Sequence, residues 1–91
     1  ICDYAYVHDI GVQMHVCGSP VATAAALQLE AVIPNFVIHE HHTNALKAHN
    51  RSICPQDYQP VNGRFSIPDK PGLGIALDTD TAASAELVEI S

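Results

Sequence analysis

Two short β-branched segments separated by an alanine-rich segment constrain the fold of this sequence more than any other feature. The first spans residues 12–17 between two glycines, and the second spans residues 36–42. Between them, Ser19-Pro20 suits the N-cap and first turn of a helix, and residues 21–33 continue in helix-forming residues up to a proline. Strand, helix and strand within about 30 residues have the size of a βαβ unit, whose two strands are parallel.

The βαβ unit places the chain in the α/β class. Its two strands need further strands beside them to form a stable sheet. Parallel strands are ordinarily buried on both faces, and two strands alone make a poor sheet. Residues 1–10 are typical of the end of a preceding helix that stops at Gly11. We therefore expect this chain to be part of a larger α/β assembly.

The second half of the chain is predicted to be mostly irregular, because prolines and an Asn-Gly pair interrupt it. Residues 43–51 fit either a helical turn or a loop, and residues 69–74 fit a turn. A short strand is predicted at residues 64–67. The last segment, residues 81–90, fits either a helix capped by Thr79 or Asp80 or a ragged end.

Composition excludes several classes of function. The 91 residues are 47% hydrophobic and 15% charged, with a net charge of −6, which allows one domain and gives no basic surface for nucleic acid or anionic lipid. No apolar stretch fits a transmembrane helix, and no basic segment is followed by an apolar one, so neither a membrane span nor a signal peptide is expected. Three cysteines without a CxxC motif favour a reducing compartment, so a cytoplasmic location is expected. Because the first residue is Ile1, we expect a piece of a longer polypeptide.

His15 and Glu40 are the candidate catalytic residues. Each lies near the carboxyl end of a predicted strand, and active sites of α/β proteins form at that edge of the sheet. Histidine is suited to proton transfer near neutral pH, and a carboxyl group beside it can act as acid, base or hydrogen-bond donor. The alternative for His15 is a core histidine bound to a carbonyl. An acid buried in an apolar strand is costly unless it is paired, which favours a function for Glu40.

The run His39-Glu40-His41-His42 also permits a metal interpretation. Strand alternation puts His39 and His41 on one face and the other two residues on the opposite face, without an evident third ligand. A polar rim at a strand end is the alternative, and we assign no metal ligand to this sequence. Cys17, two residues after His15, either lines a pocket or is a small buried filler.

Three segments in order carry a resemblance to a known family. They are MHVCGSP at residues 14–20, IPNFVIHE at residues 33–40 and PDKPGLGIALD at residues 68–78. Together with the spacing from His15 to Glu40, this order resembles the C-terminal part of the enolase superfamily, in the mandelate racemase/muconate lactonizing enzyme group. Within that group it is most similar to sugar-acid dehydratases such as D-galactonate dehydratase.

The resemblance implies the fold and its division into domains. It implies a modified TIM-type (β/α)₇β barrel plus an α+β capping domain. Residues 12–17 then match the seventh strand, residues 19–33 the seventh helix and residues 36–42 the last strand. The implied boundaries are residues 1–51 for the C-terminal part of the barrel and residues 52–91 for a tail that returns to the capping domain.

The resemblance also implies an activity, that of a carbon–oxygen lyase in the catabolism of sugar acids. His15 matches the general base that removes the proton α to a carboxylate, and Glu40 matches the acid that hydrogen-bonds the enediolate. Magnesium would stabilise the same charge, and loss of the β-hydroxyl would give a 2-keto-3-deoxy acid. His42 and Cys17 are the candidate substrate-binding residues.

The implied enzyme needs groups that this sequence lacks. The family's metal-binding carboxylates, the aspartate that pairs with the base and the acid for the leaving hydroxyl belong to earlier strands. The expected partners are therefore a sugar acid, the N-terminal part of the same enzyme or a complementing chain, and further copies in a homo-oligomer. Alone, the 91 residues are expected to be inactive.

Three alternatives stay open at this point. The first is a racemase, epimerase or cycloisomerase of the same superfamily. The second is a non-catalytic fragment or accessory chain that docks through its open sheet edge. The third is a small metal-binding module that uses His39, His41 and His42.

Overall fold

A computed structural model describes residues 1–56 and 58–90 of the chain. Its elements in chain order are α1 (Cys2–Val7), β1 (Val12–Val16), α2 (Pro20–Glu30), β2 (Phe36–His41), a 3₁₀ helix (Thr43–Leu46), α3 (Ala48–Ser52) and α4 (Thr79–Ala83). The order confirms the predicted strand–helix–strand unit. Residues 43–51, predicted as a helical turn or loop, form the 3₁₀ helix and most of α3.

The two strands form a parallel sheet, as the βαβ interpretation predicts. Val12 pairs with Phe36, and after an irregularity beside Val12 the register continues to His15 opposite Glu40. The chain between the strands contains α2, which packs against β1. This crossover brings residues from two distant parts of the sequence to the same edge of the sheet.

Helix α2 begins where the sequence predicts and ends earlier. Ser19 is the N-cap in extended conformation and Pro20 occupies the first turn, where its missing N–H costs nothing. The helix ends at Glu30 rather than at the predicted Ile33. Pro34 disfavours helical geometry at the residue before it, and the backbone leaves the helix through a looser last turn in which Val32 N donates to Leu29 O.

The hydrophobic core is small and lies between α2, β1 and the following loops. Its buried apolar side chains are Val16, Ala24, Ala26, Leu27, Ile33, Ala45 and Cys54. The prediction that the strands are buried on both faces is wrong for these residues. Phe36, Val37 and Ile38 of β2 are 42%, 65% and 56% exposed, because one helix and the tail cover only part of a two-stranded sheet.

Two predictions for the tail are corrected. Residues 64–67 do not form a strand; Arg64 pairs only with Val61, across a two-residue turn in which Asn62 and Gly63 adopt positive φ. The final helix is α4, and its N-cap is Asp78 rather than Thr79 or Asp80. The Asp78 carboxylate accepts a 2.7 Å hydrogen bond from the backbone amide of Thr81. This bond makes Asp78 the cap, in place of the predicted Thr79 or Asp80.

The tail folds back onto the side of the βαβ unit formed by α2 and β2. The Phe65 ring lies 4.7 Å from the His39 ring and 5.3 Å from the His41 ring, measured between centroids. Further along, the predicted turn at residues 69–74 ends at Gly74, whose carbonyl accepts a 2.7 Å hydrogen bond from the Tyr58 hydroxyl. The Tyr58 bond lies within the tail, which is attached to the βαβ unit through the aromatic contacts and through side-chain hydrogen bonds such as that from Gln28 Nε2 to Pro68 O.

The length of the helices and the state of the cysteines bear on membrane insertion and on disulfide formation. In residues 1–56 and 58–90, no helix combines the length and apolar character needed to cross a membrane. The three cysteines are free, and only Cys54 is fully buried.

Candidate active site

His15 and Glu40 lie side by side at the carboxyl ends of the two strands. They are register partners, and His15 Nε2 is 3.6 Å from Glu40 Oε1. That distance is longer than a hydrogen bond but short enough for an ion pair once the imidazole is protonated. An imidazole and a carboxyl group are therefore adjacent on one face of the sheet without being hydrogen-bonded to each other.

Both side chains are open to solvent in this chain. The His15 side chain is 71% exposed and the Glu40 side chain is 41% exposed. The prediction that Glu40 is a buried acid is thus wrong for these residues, and so is the alternative of a core histidine at position 15. The physical reason is that no further strand covers this face of the sheet within the described residues.

The Glu40 carboxylate has a second neighbour that the sequence interpretation missed. Gln13 Nε2 donates to Glu40 Oε2 at 2.9 Å. Strand alternation gives the signal that identifies it, because Gln13 lies two residues before His15 and so faces the same side of β1. The glutamate thus has one oxygen toward Gln13 and the other toward His15.

The loops that follow the two strands are tied together beside this site. Asn50 Nδ2 donates to Gly18 O at 2.9 Å and to Asn44 O at 3.0 Å, which links the loop after β1 to the loop after β2. Asn44 Nδ2 lies 3.5 Å from Cys17 Sγ, and the Asn44 amide donates to His42 Nδ1. These asparagines were not predicted, since nothing in their local sequence distinguishes them from ordinary loop residues.

Cys17 and His42, the two predicted substrate-binding residues, lie at different places after the carboxyl ends of the strands. Cys17 is exposed, so its interpretation as a small buried filler is wrong, and it lines an open groove of about 490 Å³ together with His15. His42 follows β2 and is partly exposed, with one ring nitrogen occupied by the loop backbone. Their roles toward a substrate stay predictions.

The histidines of β2 do not form a metal site. His39 Nδ1 contacts the Glu30 carboxylate and His41 Nε2 contacts Gln59 Oε1, both on the face opposite Glu40. Within the described ranges, no three histidine, cysteine, aspartate or glutamate side chains converge in a way that could hold a metal ion. The described residues therefore supply no set of three such ligands for magnesium or for a zinc module.

Comparison with known proteins identifies the family. The family model described as "Enolase C-terminal domain-like" matches residues 1–81, which is most of the chain. The chain belongs to this family. The resemblance inferred from the three sequence segments is thereby confirmed, as is the α/β class of the fold.

Several proteins are similar in sequence or structure to the chain. A D-xylonate dehydratase from Haloferax volcanii is 40% identical over 98% of the chain. The crystal structure of an enolase-superfamily member from Salmonella Typhimurium superimposes over 92% of the chain with a TM-score of 0.86 and 49% identity. A D-galactarolactone cycloisomerase from Agrobacterium fabrum is 31% identical over 88% of the chain.

These matches cover a limited part of each relative. The chain spans 21% of the length of the dehydratase, 21% of the Salmonella protein and 23% of the cycloisomerase. Sugar-acid dehydratases recur among the relatives, including D-mannonate dehydratases.

Proposed function

We propose that β1 and β2 are the last two strands of the catalytic barrel of a sugar-acid dehydratase. The observation that carries the proposal is the register pairing of His15 with Glu40, which puts an imidazole and a carboxyl group 3.6 Å apart on one face of a parallel sheet. The dehydratases among the relatives supply the reaction class. The exposed apolar face of β2 supports burial against further strands and helices.

In this proposal His15 is the base and Glu40 the acid. The neutral imidazole removes the proton α to the substrate carboxylate, and a protonated Glu40 donates a hydrogen bond to the oxygen that gains charge in the enediolate. His15 then carries the abstracted proton as an imidazolium, 3.6 Å from the Glu40 carboxyl group. Loss of the β-hydroxyl completes the conversion to a 2-keto-3-deoxy acid.

Magnesium enters the proposal only as a group held outside these residues. When bound, it would stabilise the carboxylate of the substrate and the charge of the enediolate. Because the described residues do not converge on a metal, we propose that an isolated 91-residue chain neither binds magnesium tightly nor turns over a sugar acid. The N-terminal barrel strands or a complementing chain would supply the ligands.

The test uses the full-length protein that carries this chain, with magnesium and a panel of D-xylonate, D-mannonate and D-galactonate. Formation of a 2-keto-3-deoxy acid from one of them supports the dehydratase. In deuterated water, His15→Asn should abolish exchange of the α-proton, because asparagine fills similar space without a basic nitrogen. Exchange at the wild-type rate in that variant would exclude His15 as the base.

A cycloisomerase is the second candidate, favoured by the relative from Agrobacterium fabrum. It shares abstraction of an α-proton and differs in the step that follows, so His15→Asn alone does not separate the two. Product analysis does: a cycloisomerase converts a lactone to an isomer without losing water. Activity on D-galactarolactone with no loss of water from any sugar acid would select this candidate.

A further inference from the structure

Gln13 stands out because its side chain contacts the proposed acid rather than a backbone group. Its amide nitrogen lies 2.9 Å from Glu40 Oε2. The other oxygen of the same carboxyl, Oε1, lies 3.6 Å from His15 Nε2. The two oxygens of Glu40 are therefore in different environments.

We propose that Gln13 is a positioning residue that assigns separate roles to the two oxygens of Glu40. The inference rests on the proposed function of His15 and Glu40. By donating to Oε2, the amide makes that oxygen an acceptor. The proton of the acid form then lies on Oε1, the oxygen beside His15. Without the amide, either oxygen could carry the proton, and only one of the two faces the base.

The position of Gln13 on β1 explains the geometry of this contact. Gln13 and His15 are two residues apart in the same strand and so project to the same face, and the neighbouring strand presents Glu40 directly opposite His15. A diagonal contact of this kind lies within reach of a long side chain such as glutamine. Gln13 thus fixes the Glu40 carboxyl from a strand rather than from a loop.

The neutral amide of Gln13 suits this role better than other side chains of similar length. A glutamate at position 13 would place a second negative charge against Glu40, and a methionine would fill the same space without a donor. A lysine would add a charge that competes with the imidazolium of His15. A neutral amide orients the carboxyl without either effect.

The experiment is a double-mutant cycle in the full-length protein with magnesium, using D-xylonate as the probe. Gln13→Met should lower kcat about tenfold with KM within about twofold of wild type, since the lost hydrogen bond acts on the acid and not on substrate binding. In the Glu40→Gln background, adding Gln13→Met should cause no further loss, measured as α-proton exchange over long times. Additive losses would overturn the proposal.

Two further variants separate positioning from general packing. Gln13→Asn keeps the amide but withdraws it by one methylene, so it should behave like Gln13→Met. Gln28→Met makes the same chemical change on α2, where the amide donates to Pro68 O at 3.4 Å, and should leave kcat unchanged. Wild-type kcat in Gln13→Asn and Gln13→Met would refute the role.

Crystal structures of the wild-type and Gln13→Met full-length proteins keep this test independent of the proposed function. We expect the wild type to keep Gln13 Nε2 within hydrogen-bond distance of Glu40 Oε2, and the variant to show a rotated Glu40 carboxyl. An identical Glu40 orientation in both structures would overturn the inference. A wild type with no activity on any sugar acid would instead refute the proposed function and leave the crystallographic result to decide on Gln13.

Discussion

Glu30 of α2 and His39 of β2 form a hydrogen-bonded pair inside the βαβ unit. His39 Nδ1 lies 2.9 Å from each carboxylate oxygen, and the two side chains are only 6% and 5% exposed. Since an ionised carboxylate only accepts hydrogen bonds, Nδ1 is the donor. With the Phe65 ring against His39, the pair joins the helix, the strand and the tail at one point.

Removing Glu30 should destabilise the protein without changing the reacting groups. In Glu30→Ala the buried N–H of His39 loses its acceptor, which costs about 1–3 kcal/mol. The measurement is thermal unfolding of the full-length protein, with Glu86→Ala as a control that removes an exposed carboxylate. Equal unfolding temperatures for the two variants would contradict the role assigned to this pair.

Asp78 should give the start of α4 a dependence on acid pH. Hydrogen bonds from the side chain and the backbone of Thr81 hold the pKa of Asp78 below its usual range. A lowered folded-state pKa means that the carboxylate stabilises the helix start at neutral pH, and that this contribution fades as the pH falls through the lowered pKa. The Thr81 amide resonance should move in that acid range, and the movement should disappear in Asp78→Asn, which keeps a capping oxygen. A resonance that titrates identically in both proteins would disprove this capping role.

Replacing Gly74 by alanine should disrupt the turn of the tail. Gly74 has a φ of +73°, and an added Cβ would lie 2.7 Å from Pro68 Cγ, a rigid ring atom. Gly63 has the same φ with nothing within 4 Å, so Gly63→Ala measures the conformational cost alone, about 1–2 kcal/mol. Chemical denaturation should show a larger loss for Gly74→Ala. Equal losses would mean that the Pro68 contact does not constrain the turn.

Cys17 should be protected from alkylation by substrate if it lines the substrate site. Its thiol is exposed beside the groove that also contains His15, whereas Cys54 is fully buried and serves as an unreactive internal reference. Mass spectrometry of peptides from the full-length protein after iodoacetamide treatment measures each site separately. Labelling of Cys17 that is unaffected by a saturating sugar acid would remove this residue from the binding site.

The sequence predicts the part of the fold that depends on local patterns. Ser19-Pro20 and the glycines around β1 mark the ends of elements through backbone preferences that act within a few residues, and these predictions are confirmed. Parallel pairing places His15 and Glu40 at the same edge of the sheet, as the sequence predicts, and the register then makes them direct neighbours. Their catalytic roles, and the division at residue 51, stay predictions.

The remaining features depend on contacts that a one-dimensional pattern does not contain. The alternation at residues 64–67 suggests a strand, but among the described residues no strand pairs with it and Arg64 forms an isolated bridge with Val61. The exposure of Glu40 depends on how many strands surround it. Gln13 is identifiable by face, yet its contact with Glu40 requires the register, which the sequence leaves undetermined.

Adjacent residues of β2 point to opposite faces of the sheet. His39 contacts Glu30 on one face, and Glu40 lies beside His15 on the other. If β2 were shifted by one residue, its side chains would change faces. Glu40 would then face Glu30, and a histidine of β2 would face His15. The buried pair therefore disfavours a slip of the strand that would separate Glu40 from His15. The alignment of residues on the open face of the sheet thus depends on a pair that is buried on the other face.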